Sequence, residues 1–283
     1  CRESVGESAP SDTCAELGAF FFSGNFPVYE GSGERKTWNI LLPYFLYEGP
    51  VLKINKQEAS LLGFESRQWT LSVSGMLTPG VASEDSIKRR SLPDLNAVIE
   101  AGPSLKWYPW GREARWLMEF PVRYAVSAET NPQGLGFVFN PKVSYRYAYD
   151  QKSVHFQRVS FDFSLGFKVI GSEYSDYYYG VDTSSGVDTS SGVDTSSGVD
   201  ADSGVDADSG VDAGRPDLSP YQGAGGYGGG YLSFAIHQKM HAWQLGTYVR
   251  FTSLSETAFE ESPLMEKKNT WFWGGYVSRS LWI

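Results

Sequence analysis

The sequence predicts an all-β fold, a transmembrane antiparallel up-and-down β-barrel. Three observations predict it: long segments alternate apolar residues with polar or small ones, aromatic side chains stand at or near the ends of several apolar faces, and charges of both signs stand in the middle of the opposite faces. A strand that crosses a bilayer needs about ten residues, whereas strands of soluble proteins average about five or six. A β-sandwich or a soluble barrel is the alternative, because its strands alternate as well.

Five segments carry the alternation. Aromatic side chains near strand ends are typical of strands that meet the membrane interfaces. The apolar faces of the five segments, in chain order, are Leu95, Ala97, Ile99, Ala101, Leu105 and Trp107; Trp116, Met118, Phe120, Val122, Tyr124 and Val126; Phe137, Phe139, Val143, Tyr145 and Tyr147; Val159, Phe161, Phe163, Leu165, Phe167 and Val169; and Trp243, Leu245, Thr247, Val249 and Phe251.

The opposite faces of these segments carry the candidate site, a polar network that faces the barrel lumen. Because each ion loses hydration inside a barrel, pairing of opposite charges is favoured unless water fills the space. We expect a structural polar core, with a conducting or substrate-lined lumen as the alternative. The predicted network consists of Glu100, Lys106, Glu119, Arg123, Lys142, Arg146, Asp162, Lys168 and Arg250.

The connections divide into short turns and long loops. Long or irregular loops are predicted at about 26–35, 78–93, 127–134, 172–222 and 254–269, and short turns at Glu48–Pro50, Glu65–Ser66, Pro109–Gly111, Asp150–Gln151 and Lys239–Met240. Outer-membrane barrels keep short turns on the periplasmic side and long loops outside. We therefore predict short periplasmic turns and long extracellular loops.

Residues 51–65 stand between two short turns and set the strand number. If Val51–Lys56 and Ala59–Phe64 are two short strands, the barrel has about twelve strands; if the segment does not span, it has ten. Both alternatives keep the strand number even and the termini periplasmic, and we favour twelve. The predicted organisation is a periplasmic segment over 1–14 and a single barrel over 15–283.

The chain has two cysteines, Cys1 and Cys14. We expect either a lipid on Cys1, as in a processed lipoprotein, or a disulfide between the two residues in an oxidising compartment. Both alternatives place the protein outside the cytoplasm.

A hexapeptide repeat fills 180–214, where GVDTSS is followed by GVDADS. It follows the aromatic run Tyr177–Tyr179, which is predicted to mark the membrane interface. It holds eight Asp and neither Lys nor Arg, so it supplies nearly all of the net charge of -9 and leaves about -1 for the rest. With one Val per unit it cannot bury enough surface to offset its ordering entropy, and we predict a disordered extracellular loop. Weak calcium binding and specific adhesion are the alternatives. The chain has no basic excess, so nothing points to nucleic acid.

No catalytic constellation is recognisable. The sequence has no phosphate-binding loop and no Ser–His–Asp or Cys–His set with supporting context. His237 and His241 are four residues apart, but they are predicted to bracket a turn, where they do not share a face as they would on a helix. We therefore expect a non-enzymatic protein without a catalytic, cofactor or metal site.

Several short motifs resemble the MipA/OmpV family, the MltA-interacting outer-membrane proteins of Gram-negative bacteria. They are PVYEGS at 27–32, LPYF at 42–45, LPDL at 92–95, EAGPSL at 100–105, YYGV at 178–181 and NTWFWGG at 269–275. Their order and spacing cover nearly the whole chain outside the repeat. The chain departs from the usual pattern in two places, since Ile283 follows the aromatic Trp282 at the end and Cys1 stands at the start.

The resemblance implies an outer-membrane β-barrel with a role in the cell envelope. It implies a scaffold that contacts outer-membrane lipid and links a murein hydrolase to a murein synthase or binds other envelope proteins. A small-solute channel and a surface adhesin are the alternatives. The family has no catalytic motif that could be carried over residue by residue.

Overall fold

A computed structural model describes residues 14–48, 52–54, 58–150, 158–182 and 218–282. The predictions for residues 1–13, for the turns at 49–51 and 151–157, and for the repeat beyond Asp182 lie outside the described residues. Ile283 lies outside them as well.

The described residues form thirteen strands and one α-helix, so the prediction of an all-β chain is confirmed. The first strand begins at Cys14, one residue before the predicted boundary. The strands are β1 (Cys14–Pro27), β2 (Arg35–Glu48), β3 (Leu52–Ile54), β4 (Glu58–Glu65), β5 (Trp69–Thr78), β6 (Val98–Trp107), β7 (Trp116–Ser127), β8 (Gly134–Phe139), β9 (Lys142–Asp150), β10 (Arg158–Ile170), β11 (Gly226–Met240), β12 (Trp243–Ser253) and β13 (Asn269–Trp282), and the helix is α1 (Ser172–Tyr179).

Within the described ranges, no helix has the length and hydropathy that a membrane crossing requires.

All thirteen strands belong to one antiparallel sheet. β13 pairs with β1, where Leu17 to Asn25 stand opposite Trp282 to Trp273, and β10 pairs with β11. β8 and β9 occupy one position between β7 and β10, because both pair with those two strands. The interruption lies at Asn140–Pro141, since proline has no N–H to donate to a neighbouring strand.

The segment between the two short turns forms two strands that pair with each other. Leu52 to Ile54 stand opposite Leu61 to Ala59, and β4 continues the sheet towards β5.

Burial along the strands is the reverse of that in a soluble sheet. In β5 and β6, Ser72, Ser104 and Glu100 are buried while the alternating apolar residues are exposed. The side chain of Leu41 on β2 is 71% exposed, whereas Glu100 is 3% exposed. Alternate residues of a strand point to opposite faces, so the sheet has an apolar outward face and a polar inward face. An apolar surface of this extent indicates contact with something other than water.

Most of the hydrophobic core lies among the long connections, and the adjoining strand ends complete it with Val98, Ala125, Leu135, Val138 and Ile170. These connections join β1 to β2, β5 to β6, β7 to β8, β10 to β11 and β12 to β13, and they meet at one end of the sheet, the loop end. Their packed apolar residues, called here the loop cluster, include Val28, Tyr29, Val81, Leu92, Leu95, Tyr174, Tyr178, Tyr179, Val181, Leu254, Phe259 and Leu264. The other end of the sheet is the short-turn end.

The loop cluster corrects two sequence-based predictions. Leu95 was predicted on a strand face, but β6 begins at Val98 and Leu95 is buried in the cluster through its pairing with Val81. The aromatic run that ends at Tyr179 was predicted to mark the membrane interface. It forms α1 instead, and the Tyr179 ring stacks on Phe259 with 3.8 Å between centroids. Tertiary packing, which a strand pattern does not encode, decides both.

A third correction concerns the turn between β11 and β12. β11 continues to Met240, so the turn stands at His241–Ala242, two residues later than predicted. His241 adopts a positive φ of 50°, as the first central residue of two-residue hairpin turns of types I′ and II′ does.

Phe259→Ala should open the loop cluster. Phe259 is 1% exposed, and removing its ring leaves a cavity that costs about 3–5 kcal/mol. Hydrogen exchange of residues 254–268 should speed up strongly. Ile87→Ala is the matched control, because Ile87 belongs to the same set of connections but is 57% exposed. Equal protection in the two variants would contradict the role of the cluster as a core.

Candidate functional site: the inward charge network

The inward face of the sheet brings the predicted charges together in three groups. From the loop end to the short-turn end, these are a first group around Glu30 and Glu100, a second around Glu119 and a third around Asp162. Neighbouring strands place the partners opposite one another by register, as in the pairs Lys106–Glu119 and Arg146–Asp162.

The first group joins the sheet to the loop cluster. Arg123 Nη1 lies 3.5 Å from Glu100 Oε2, and Tyr174 on α1 donates its hydroxyl to Glu100 Oε1 at 3.3 Å. Glu30, in the β1–β2 connection, receives Lys168 Nζ at 2.9 Å and Arg250 Nη2 at 3.7 Å.

Glu30 is a site residue that the sequence-based prediction missed. It lies in a loop, where no alternation indicates which way a side chain points. Its burial favours the neutral acid, but the adjacent Lys168 and Arg250 outweigh this effect, so the pKa of Glu30 lies below its usual value. The carboxylate is therefore ionised at neutral pH and is an integral part of the network.

The second group is a buried ion pair in the middle of the wall. Lys142 Nζ lies 2.9 Å from Glu119 Oε2, and Lys106 stands opposite Glu119 in the pairing of β6 with β7. The three residues come from β6, β7 and β9.

The third group lies nearest the short-turn end. Arg146 Nε donates to Asp162 Oδ1 at 2.5 Å, and His237 Nε2 lies 3.1 Å from Asp162 Oδ2. His237 Nδ1 lies 2.8 Å from the hydroxyl of Tyr276. The sequence-based prediction placed His237 at a turn, yet it lies within β11. Tyr231 lies on the inward face of β11, and His237 follows it by six residues. Because every second residue of a strand faces the same side, the alternation could have identified His237 as inward-facing.

An aromatic surface covers the part of the inward face that belongs to β1, β12 and β13. Arg250 links it to the charges, because its guanidinium carbon lies 3.9 Å from the ring centroid of Tyr231 and 5.5 Å from that of Phe272. The rings in mutual contact there are Phe20, Phe22, Phe26, Tyr248, Phe272 and Tyr276. The inward face therefore has a charged side and an aromatic side.

Accessibility increases from the loop end to the short-turn end. The Glu100 side chain is 3% exposed, whereas that of Arg146 is 65% exposed. The loop cluster covers the first group, whereas Arg146 makes the third group accessible, although Asp162 itself is only 14% exposed. Each of the four carboxylates faces at least one of the six cations, and removing a cation would leave a poorly exposed carboxylate without its charged partner. The arrangement is therefore suited to holding the wall together.

Comparison with known families agrees with this architecture. The model of the family described as MltA-interacting protein MipA matches residues 17–281. The chain belongs to the MipA family. All nine predicted network residues and Glu30 lie within the matched range. Among curated proteins, no match is found.

The motifs that carry the family resemblance coincide with the parts of this MipA-family chain that hold the loop end together. PVYEGS supplies Tyr29 to the loop cluster and Glu30 to the first group, and YYGV supplies Tyr178 and Tyr179. EAGPSL supplies Glu100. Most of the motifs that carry the resemblance therefore supply residues to the contact between the loop cluster and the inward wall.

Arg123→Met should destabilise the protein by about 3–5 kcal/mol, because it leaves Glu100 buried without its charged partner. Urea unfolding in lipid vesicles measures the change. Arg115→Met is the matched control: Arg115 contacts the outward Tyr145 hydroxyl, and its loss should leave the unfolding curve unchanged. Equal unfolding midpoints for the two variants would contradict the structural role of the first group.

The loop cluster should open between pH 10 and pH 12. Burial raises the pKa of Tyr29 to about 12, above the value of about 10 in an unfolded chain. Because the folded pKa is raised, the stabilisation is complete below pH 10 and is lost as the pH rises towards 12, by about 2–3 kcal/mol. Urea unfolding across this range should show the loss, and Tyr29→Phe should reduce it. An unchanged pH dependence in Tyr29→Phe would contradict this assignment.

Proposed function

We propose that this MipA-family protein is a non-enzymatic scaffold or partner-binding protein of the Gram-negative cell envelope, built as an outer-membrane β-barrel. The observation that carries the proposal is the loop cluster, which covers one end of a wall whose carboxylates are each paired with a cation. Such an interior supports a structural role more than a conducting one.

The strand pairings support a closed barrel of twelve strand positions. They run from β1 through the sheet to β13 and return to β1. β8 and β9 share one position, so thirteen strands give twelve positions. A closed barrel satisfies every backbone N–H and C=O within the wall, which a bilayer requires.

Two aromatic belts on the outward face support a membrane location. Trp69, Trp116 and Trp243 are exposed towards the short-turn end, and Trp271 and Trp273 towards the loop end. Exposed aliphatic side chains lie between the belts. Trp and Tyr are typical of the two membrane interfaces, and apolar side chains are typical of the lipid-facing band between them. In this orientation the short turns are periplasmic and the loop cluster is extracellular.

The partner that we propose is a murein hydrolase or synthase, or another envelope protein. The family description refers to interaction with MltA, and a partner of this kind would approach from the periplasm. Trp110 is an accessible side chain on that side, 69% exposed in the connection between β6 and β7.

Site-specific crosslinking tests the scaffold role. With a photo-crosslinking amino acid at position 110, irradiation of intact cells should capture a periplasmic or membrane-bound envelope protein. The matched control carries the same amino acid at position 87, where Ile87 is exposed at the loop end. Capture at neither position would contradict a scaffold, and capture at position 87 alone would favour the adhesin.

A small-solute channel is the second candidate, because the inward face is polar and Arg146 is largely exposed. We expect wild-type protein to show no discrete conductance in planar bilayers, since the loop cluster covers one end. Conductance steps whose ion selectivity changes in Arg146→Gln would overturn that expectation and establish the channel.

A further inference from the structure

Lys168 and Arg250 converge on a single carboxylate. They stand on β10 and β12 and approach the two oxygens of Glu30 separately, Lys168 at Oε2 and Arg250 at Oε1. The three side chains are only 15%, 19% and 20% exposed. Two cations that each face one oxygen of the same carboxylate form a receptor for one carboxylate group.

Aromatic rings hold the two cations in place when no carboxylate is present. Arg250 lies over the Tyr231 ring and donates through Nε to Thr252 Oγ1 at 3.2 Å. Lys168 Nζ lies 5.8 Å from the centroid of Tyr174. Cation–π contacts stabilise both charges, so the pair does not require Glu30 for its position.

The backbone around Glu30 is fixed independently of its carboxylate. Tyr179 donates its hydroxyl to the Glu30 carbonyl at 2.8 Å, and the amides of Glu266 and Lys267 donate to the Gly31 carbonyl. Gly31 adopts a φ of +99°, which a glycine accommodates without strain. Removing the Glu30 side chain should therefore leave a carboxylate-sized space between the two cations, and the loop should not collapse into it.

We infer that Lys168 and Arg250 form a carboxylate-binding site on the inward wall, which the chain fills with its own Glu30. The ligand class is a small carboxylate, or a carboxylate group of a larger ligand that reaches the inward face. In the wild-type protein the tethered Glu30 occupies the site, as a preorganised ligand does.

Chemical rescue tests the inference. Glu30→Ala in detergent should unfold at a lower temperature than the wild type. The loss of its heat-modifiable band on a gel measures the unfolding. Sodium formate should raise the unfolding midpoint, and the rise should continue with the logarithm of the formate concentration above the dissociation constant. Sodium chloride at equal ionic strength is the reference. The wild type should show no shift beyond that in chloride, because its site is occupied.

Glu34→Ala is the matched control variant. Glu34 lies in the same connection, but its carboxylate accepts bonds from the Ser32 and Ser86 hydroxyls and from the Ile87 amide. Formate should not rescue Glu34→Ala. It should also fail to rescue Glu30→Ala combined with Arg250→Met, where one of the two cations is missing.

The result that would overturn the inference is a midpoint of Glu30→Ala that rises no more in formate than in chloride. Equal rescue of the Glu34→Ala control would overturn it as well. If Glu30→Ala does not fold in chloride, the yield of refolded protein replaces the unfolding midpoint as the readout, and formate should restore the heat-modifiable band. The same comparison of formate with chloride then decides.

Discussion

The pairing of β1 with β13 is the interaction on which the rest of the structure depends. It joins the first and last strands of the sheet, so that Leu17 to Asn25 stand opposite residues 273–282. Together with the registers of the other strand pairs and the period of two along each strand, this pairing determines which side chains are directed inward. A shift of one residue in a single strand would exchange its two faces, and in β6 it would place Glu100 on the apolar outside. The inward charge network is therefore a consequence of register.

Most of the apolar core lies among the connections at the loop end, whereas a soluble sheet protein has its core on one face of the sheet. Strand side chains of the outward face are too exposed to serve as a core, so the buried contacts are made among the connections. Helix α1 packs Tyr174, Tyr178 and Tyr179 against elements from three other connections. Arg89 Nη1 donates to the Tyr178 carbonyl at 2.8 Å, and Ser262 Oγ to the Tyr179 carbonyl at 2.8 Å, which hold α1 from two sides.

The loop cluster and the inward wall are coupled through a few polar contacts. Tyr174 reaches Glu100, and Glu30 reaches Lys168 and Arg250. These contacts cross from the connections to the sheet, and each of them involves a group with little exposure. A removed partner therefore leaves a buried charge or hydroxyl unsatisfied, which explains why we expect the closed end to be stable.

The sequence by itself determined the all-β class and which residues of a strand share a face. These follow from alternation, because a strand places every second side chain on the same face regardless of its partners. The order of short turns and long loops, rather than alternation, favoured two short strands within residues 51–65, and β3 and β4 pair there. Alternation failed for Leu95, Glu30 and the aromatic run in α1, since these lie in connections, where no period relates position to direction. Only the tertiary structure could place them, because their burial depends on contacts between connections that are distant in sequence, such as the one between Tyr29 and Leu264.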